Sequence, residues 1–324
     1  MTDIVVGAPQ FPFQYDVGPD PSPVYSGTFI PTLWSGKLIE KFYDATVLAA
    51  ISNTDYEGEI ANYGDQVVIR SKPDITVLDY KAGIDLVYER PSRVTQSLII
   101  DQGKYWGTEL DDVMEIQADI DMLSMWADDA SEQIKIVIDT DVLAFMLDKP
   151  TAITNRGLIA GRKSGNIDLG ETGDAVAVSK TTVTDLIVDA GTVLDEQNIP
   201  EGGRFMVIPA WMAGRIKKSE LRDASLSGDG TSILRNGRLG MIDRFTLYMS
   251  NLLPDENTVG SPLAAGEFGI YFGTTTALTF ASQVTKVETL RSERTFANLM
   301  RGLQVYGREV VKSDALGQII ATPA

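Results

Sequence analysis

Apolar residues recur at alternating steps of four and three along the chain between residues 108 and 147: Ile116, Ile120, Leu123, Ala127, Ala130, Ile134 and Val137. At 3.6 residues per turn these positions share one face, so the spacing predicts a long helix. Asp111, Asp112 and Glu115 suit its positive N-terminal end, and Pro150 bounds the far end. At about 1.5 Å per residue, a helix from Thr108 to Leu147 would be roughly 55–60 Å long. The stripe predicts that Ile116, Ile120, Leu123, Ile134 and Val137 pack onto the C-terminal strands, leaving Asp119, Asp128 and Asp129 outside.

Ahead of this helix the period changes to two. Val67 and Ile69 alternate with polar neighbours, as do Ile75 and Val77. After a turn at Asp79, Tyr80, Lys81, Ala82 and Gly83 the chain returns through Ile84, Leu86 and Tyr88, and then Val94 to Ile100. The pattern predicts a long hairpin with too little apolar surface to form a core of its own. Residues 1–35 carry Pro9, Pro12, Pro19, Pro21, Pro23 and Pro31, which fix φ and remove backbone donors, so an extended arm is expected there.

Beyond Pro150, the run "NRGLIAGRKSGNIDLGETGD" reads as a flexible loop; it has neither a Walker pattern nor GxGxxG to cradle phosphate. Val183, Leu186, Ile187, Ala190, Val193 and Leu194 predict a helix over 182–198. "RFMVIP" reads as a buried strand, "AWMAGRIKKSELR" as the start of a helix, and Asn236-Gly237 as a turn before a strand at 245–249. Further strands are expected at 268–272 and 303–311. Helices and strands are segregated rather than alternating, which makes the fold class α+β.

Composition narrows the chemistry. With 45 Asp and Glu against 28 Lys and Arg, the formal charge is −17, which argues against a protein that grips nucleic acid through a basic surface. The chain has no His and no Cys, so a Ser-His-Asp triad, a Cys-His pair, a disulfide framework and the usual zinc sites are all excluded. No apolar stretch is long enough to span a bilayer, and no secretory signal pattern opens the chain. Carboxylate chemistry remains: Asp111-Asp112 and Asp128-Asp129 are candidate acid/base pairs for a hydrolase, against the ordinary reading of a solvated helix face. "SGDGTS" at 227–232 lacks most ligand positions of a calcium loop. Arg215, Lys217, Lys218 and Arg222 form a basic patch better suited to an interface in so acidic a chain than to phosphate. Trp34, Trp106, Trp126 and Trp211 are expected in core or interface packing. No cofactor or metal is implied.

Four runs in fixed order then carry a resemblance: "VVIRSKPDITVLDYKAGIDLVYERPSRVTQSLIIDQGKYW", "LDEQNIPEGGRFMVIPAW", "LRNGRLGMIDRFTLYMSNLL" and "GLQVYGREVVKSDALGQIIAT". Together they resemble the major capsid proteins of tailed bacteriophages, which have the Hong Kong 97-type fold. The resemblance implies an N-arm (1–35), a peripheral-domain N-terminal segment (36–55) and an extended E-loop (56–103). A peripheral domain with spine helix and Gly-rich loop (104–178), an axial domain (179–265) and C-terminal peripheral strands (266–324) would follow.

In function, the resemblance implies a shell protein of the virion, assembled in the bacterial cytoplasm as hexamers and pentamers into an icosahedral head around double-stranded DNA, without sequence-specific contacts and without a membrane. The hairpin tip, Asp79 to Gly83, would make intersubunit contacts. A portal protein at one vertex and a decoration protein are the implied partners. The short run from Met1 to the hairpin points to a separate scaffolding protein. Some relatives weld subunits through a Lys-Asn isopeptide bond, but the surroundings of Lys72, Lys81 and Asn298 do not support carrying that bond over. The alternatives are an encapsulin-like nanocompartment shell, which shares the fold, and the carboxylate-dependent hydrolase.

Overall fold

The computed structural model describes residues 14–15, 23–24, 43–44, 46–55, 66–70, 75–80, 83, 85, 88–90, 95–112, 122–148, 153–219 and 240–324; the side chains of 14–15, 23–24, 122–123, 148 and 283–285 are excepted. The chain divides into two units, 1–41 and 42–324. In the first, β1 (Gln14–Tyr15) pairs antiparallel with β2 (Pro23–Val24).

The second unit is organised by β6 (Arg204–Ile208), the "RFMVI" strand, in which every residue is buried. Alternate side chains of a strand point to opposite faces, and here both faces are covered. Met206 and Ile208 enter one apolar cluster; Phe205 and Val207 enter another. The sheet around it has the order β5 (Val176–Val178), β12 (Leu316–Pro323), β9 (Phe268–Thr274), β6, β8 (Phe245–Met249), β7 (Met241–Ile242). The β6–β8 and β12–β5 pairs are parallel, and the others antiparallel.

Two helices cover the first face. One is α3 (Val183–Glu196), whose Val183, Leu186, Ile187, Ala190, Val193 and Leu194 are all buried. The other is α4 (Ala210–Lys218), which contributes Met212, Ala213 and Ile216. The opposite face meets α2 (Met122–Asp148) through Ile138, Val142, Leu143 and Met146, together with Val47, Leu48 and Ile51 around the short α1 (Leu48–Ile51).

A second sheet has the order β10 (Leu278–Arg291), β11 (Ala297–Val310), β4 (Thr95–Asp111), β3 (Gln66–Arg70), all antiparallel. The strands beyond residue 266 are therefore shared out. β9 and β12 belong to the sheet of β6, while β10 and β11 pair with the strand that leaves the hairpin.

The sequence pattern differs from the structure at the long helix. Residues 108–111, expected to open it, are the end of β4; helical backbone is described at Asp112 and again along α2 from Met122. The acidic run at 109–111 resembles a helix start, but pairing of Asn298 with Leu110 and of Ala297 with Asp111 carries the strand up to the helical Asp112. The Gly-rich passage also has more order than a flexible loop: Ala160 bridges Ile167, Glu171 bridges Asp174, and Asn155 bridges Gly317.

Candidate functional site

The base of the hairpin is a short ladder, Gln66 opposite Ile99 and Arg70 opposite Thr95. Ile69, Leu98 and Ile100 seal it against Ala281, with Val67 and Val305 alongside. Residues 71–94 join the two strands and are described at 75–80, 83, 85 and 88–90. Residues 75–78 and Tyr88, expected in strands on either side of the turn, have no ladder among the described residues. A two-stranded ribbon without a covering layer is marginal. The backbone N–H of Thr76 instead donates to Oε1 of Glu89 at 2.6 Å, a side-chain tie between the two limbs.

The apolar residues that produced the alternating pattern face outward: Val77 is 93% exposed and Tyr88 87%, with Ile75, Leu78 and Tyr80 also exposed. At the tip, Asp79 and Tyr80 are exposed, and Gly83 turns the chain at φ +86, a region that favours glycine. Lys81 and Ala82 lie outside the described residues.

A second apolar area lies on the outer half of the four-stranded sheet. Tyr105 and Leu303 are direct cross-strand partners and both exposed, with Leu290 exposed on the same face, Val287 exposed on the opposite face and Phe296 exposed between β10 and β11. Polar ties hold this half together: Arg291 donates from Nη1 to Oδ1 of Asp112 at 2.7 Å, Arg301 from Nη2 to Oε2 of Glu288 at 2.7 Å, and Thr295 Oγ1 to Oε1 of Glu109 at 2.6 Å. The Trp106 indole lies over Gly302, where a Cβ would clash with its Nε1. So much uncovered apolar surface on one chain marks a contact surface.

Along α2, Ile116 and Ile120 fall outside the described residues, and Leu123 lies on the helix without a described side chain. Ile134 is partly buried against the cluster of Ile138, Val142, Leu143 and Met146. Val137, expected in the packed stripe, is 44% exposed. The apolar run Ile136-Val137-Ile138 offers adjacent candidates, and the packing selects Ile138, one turn on from Ile134. Asp128 is exposed, whereas Asp129 accepts a 2.8 Å hydrogen bond from the Tyr43 hydroxyl. Arg215, Lys217 and Lys218 occupy the last turn of α4, where cations complement the helix dipole; Arg222 lies outside the described residues.

Asp112 is held by Arg291, and among the described residues no group of three or more His, Cys, Asp or Glu gathers to hold a metal ion. Two further carboxylates, Asp139 and Asp141, lie inside α2. Asp141 accepts from Tyr306 Oη at 2.6 Å and pairs with Arg308, whose guanidinium lies 4.7 Å from the Phe145 ring centroid. Asp139 is buried. Their signal is an Asp pair inside an apolar helical run, which a search for exposed chemistry does not catch.

A family model described as phage capsid protein matches residues 96–317. The chain belongs to the phage capsid protein family. Comparison with solved structures agrees. A chain from Mycobacterium phage Che8 superposes with a TM-score of 0.72 at 28% identity, covering 90% of this chain and 97% of that one. The capsid structure of cyanophage P-SCSP1u gives 0.70 at 16% identity, covering 93% and 96%. The capsid of Myoviridae phage XM1 gives 0.59 at 14%, covering 91% and 100%. The search of curated proteins returns no match. This capsid protein has the Hong Kong 97-type α+β fold and is a structural component of the capsid shell of a tailed-phage virion. The family match decides between the phage shell and the nanocompartment shell.

Proposed function

We propose that this capsid protein builds the icosahedral, DNA-containing head as hexamers and pentamers, with loop 71–94 reaching over a neighbouring subunit. The observation that carries the reading is the row of exposed apolar side chains on that loop, Ile75, Val77, Leu78, Tyr80 and Tyr88. A second copy of the chain covers such a surface, and closed symmetry repeats the cover for every copy. In this reading residues 1–35 are the N-arm, 56–103 the E-loop, 104–178 peripheral, and 179–265 axial. β9 and β12 extend the axial sheet. The basic end of α4, Arg215, Lys217 and Lys218, meets acidic surface on neighbours.

The role is structural rather than catalytic. A net charge of −17 keeps the wall from holding packaged double-stranded DNA tightly. A separate scaffolding protein, a portal at one vertex and a decoration protein complete the set of partners. The test is to express the chain alone and with its genomic neighbours, then to examine sedimentation and electron micrographs. Closed shells of uniform diameter are expected; a stable monomer under both conditions would overturn the reading.

A further inference from the structure

Asp139 stands apart from the assembly surface. It lies on the packed face of α2 and is 1% exposed. Its Oδ2 accepts a 2.6 Å hydrogen bond from the backbone N–H of Val47, at the start of α1. Its Oδ1 is buried with no hydrogen-bond partner. A carboxylate in this position is denied the water that stabilises its charge and has few donors in exchange.

The segment it grips, residues 46–55, is a strap laid between α2 and β10. Val47, Leu48 and Ile51 are buried in the α2 cluster. At the other side Asn53 N–H donates to the Leu278 carbonyl at 2.8 Å, and Phe280 N–H to the Asn53 carbonyl at 3.0 Å. Beside the strap is a cavity of about 300 Å³, lined by Leu48, Ser52, Ile138, Asp139, Phe280 and Gln304 among others.

We propose that Asp139 makes this strap a proton-operated clasp: uptake of a proton fastens residues 46–55 onto α2, and its loss slackens them. Burial is the largest influence and pushes the carboxyl up to about 6, against the opposing N–H groups of Val47 and Leu48. When the strap lifts, water reaches the carboxyl through the adjoining cavity, and its affinity for protons returns toward the ordinary value of 3.8. The fastened state therefore binds the proton more tightly, so acidification from about 6 toward 4 favours fastening. A carboxylate held by an ion pair would behave in the opposite sense.

The surrounding groups leave Asp139 as the titrating member. Lys135 lines the same cavity one turn earlier on α2, but its Nζ pairs with Glu132 at 2.6 Å. From β10 and β11 the cavity receives Phe280, Ser282 and Gln304, all uncharged. Asp141, Tyr306 and Arg308 form their own network. On the strap side Asp44 and Asp55 are exposed, and Tyr43 is bonded to Asp129.

Hydrogen exchange of the full-length protein between pH 4.5 and 7.5, corrected for intrinsic exchange rates, tests the clasp. The opening constant of residues 46–55 should rise roughly 25-fold between pH 4.5 and 7.5, about half of that by pH 6, and level off above about 7, while α3 shows no such step. Asp139→Asn should hold the strap at its fastened level across the range; if that variant does not fold, Asp139→Ser serves the same purpose. Wild-type protection that is flat or falls on acidification would overturn the proposal, as would a neutral variant that keeps the wild-type slope.

Discussion

The hydroxyl of Tyr271, on β9, donates a 3.0 Å hydrogen bond to the backbone carbonyl of Leu143, on α2, and both residues are fully buried. One bond thus ties the central sheet to the helix that covers it. Tyr271→Phe keeps the ring in the same cluster, and the Leu143 carbonyl keeps its place in the helix. The expected cost is about 1 kcal/mol, the net worth of one such bond, whereas Tyr271→Ala should cost about 3–5 kcal/mol through the cavity it leaves. Denaturant unfolding of the two variants measures the difference.

Val142 and Val137 provide a contrast within one helix. Val142 is fully buried and Val137 is 44% exposed. Val142→Asp should abolish soluble folded protein, since an unpaired buried carboxylate costs several kcal/mol. Val137→Asp should change stability by no more than about 0.5 kcal/mol. Soluble yield and circular dichroism distinguish the pair, and equal damage from both would show that the packed face of α2 is misplaced.

Replacing Val77 and Tyr80 together by Ser removes two of the exposed apolar groups of loop 71–94 without touching either core cluster. The subunit should fold with an unchanged circular dichroism spectrum, and closed particles should be absent or malformed in electron micrographs. Normal particles would show that the loop is not the contact.

Gly317 on β12 sits against the Phe272 ring, where an added Cβ would clash with Cζ. Gly317→Ala should destabilise by about 1–3 kcal/mol through overpacking. Combined with Phe272→Leu, which makes room, the two losses should sum to less than their separate values, because the residues share one space. Strict additivity in a double-mutant cycle would refute the close contact.

Asp195 predicts an acid limb. Burial works to raise its carboxyl, but hydrogen bonds from Arg204 and Arg244 overcome this and hold it below its ordinary 3.8. The folded value lies under the unfolded one, so the stabilisation is complete above about 3.8 and disappears as pH falls through the lowered value. Asp195→Asn should flatten that part of the stability curve and lower stability at neutral pH, where Arg204, fully buried, loses a charged partner. A thermal-melt series from pH 2.5 to 7 reads both effects.

The parts legible from the sequence are those in which local pattern and final packing agree. α3 is the plainest case, because a helix that covers one face of a sheet needs one apolar stripe, and its six spaced residues are the ones buried. The hairpin alternation does not report a ladder: Ile75, Val77 and Tyr88 alternate with polar residues yet are exposed, because alternation records which residues are apolar and not what covers them. Where α2 begins and which of Val137 and Ile138 turns inward depend on β11 and β9, far along the chain, and no local spacing reports them. Asp139 was illegible for the same reason, since its meaning lies in Val47, ninety-two positions away.

β4 pairs with β3 up to Ile99 and with β11 from Ile100 onward, so one continuous strand joins the loop to the wide sheet. Its rungs run perpendicular to the strand axis. A pull on the loop directed along that axis loads the rungs to β11 side by side, in shear, rather than peeling them one after another. The loop is therefore moored as a tether is, with a root built to bear tension.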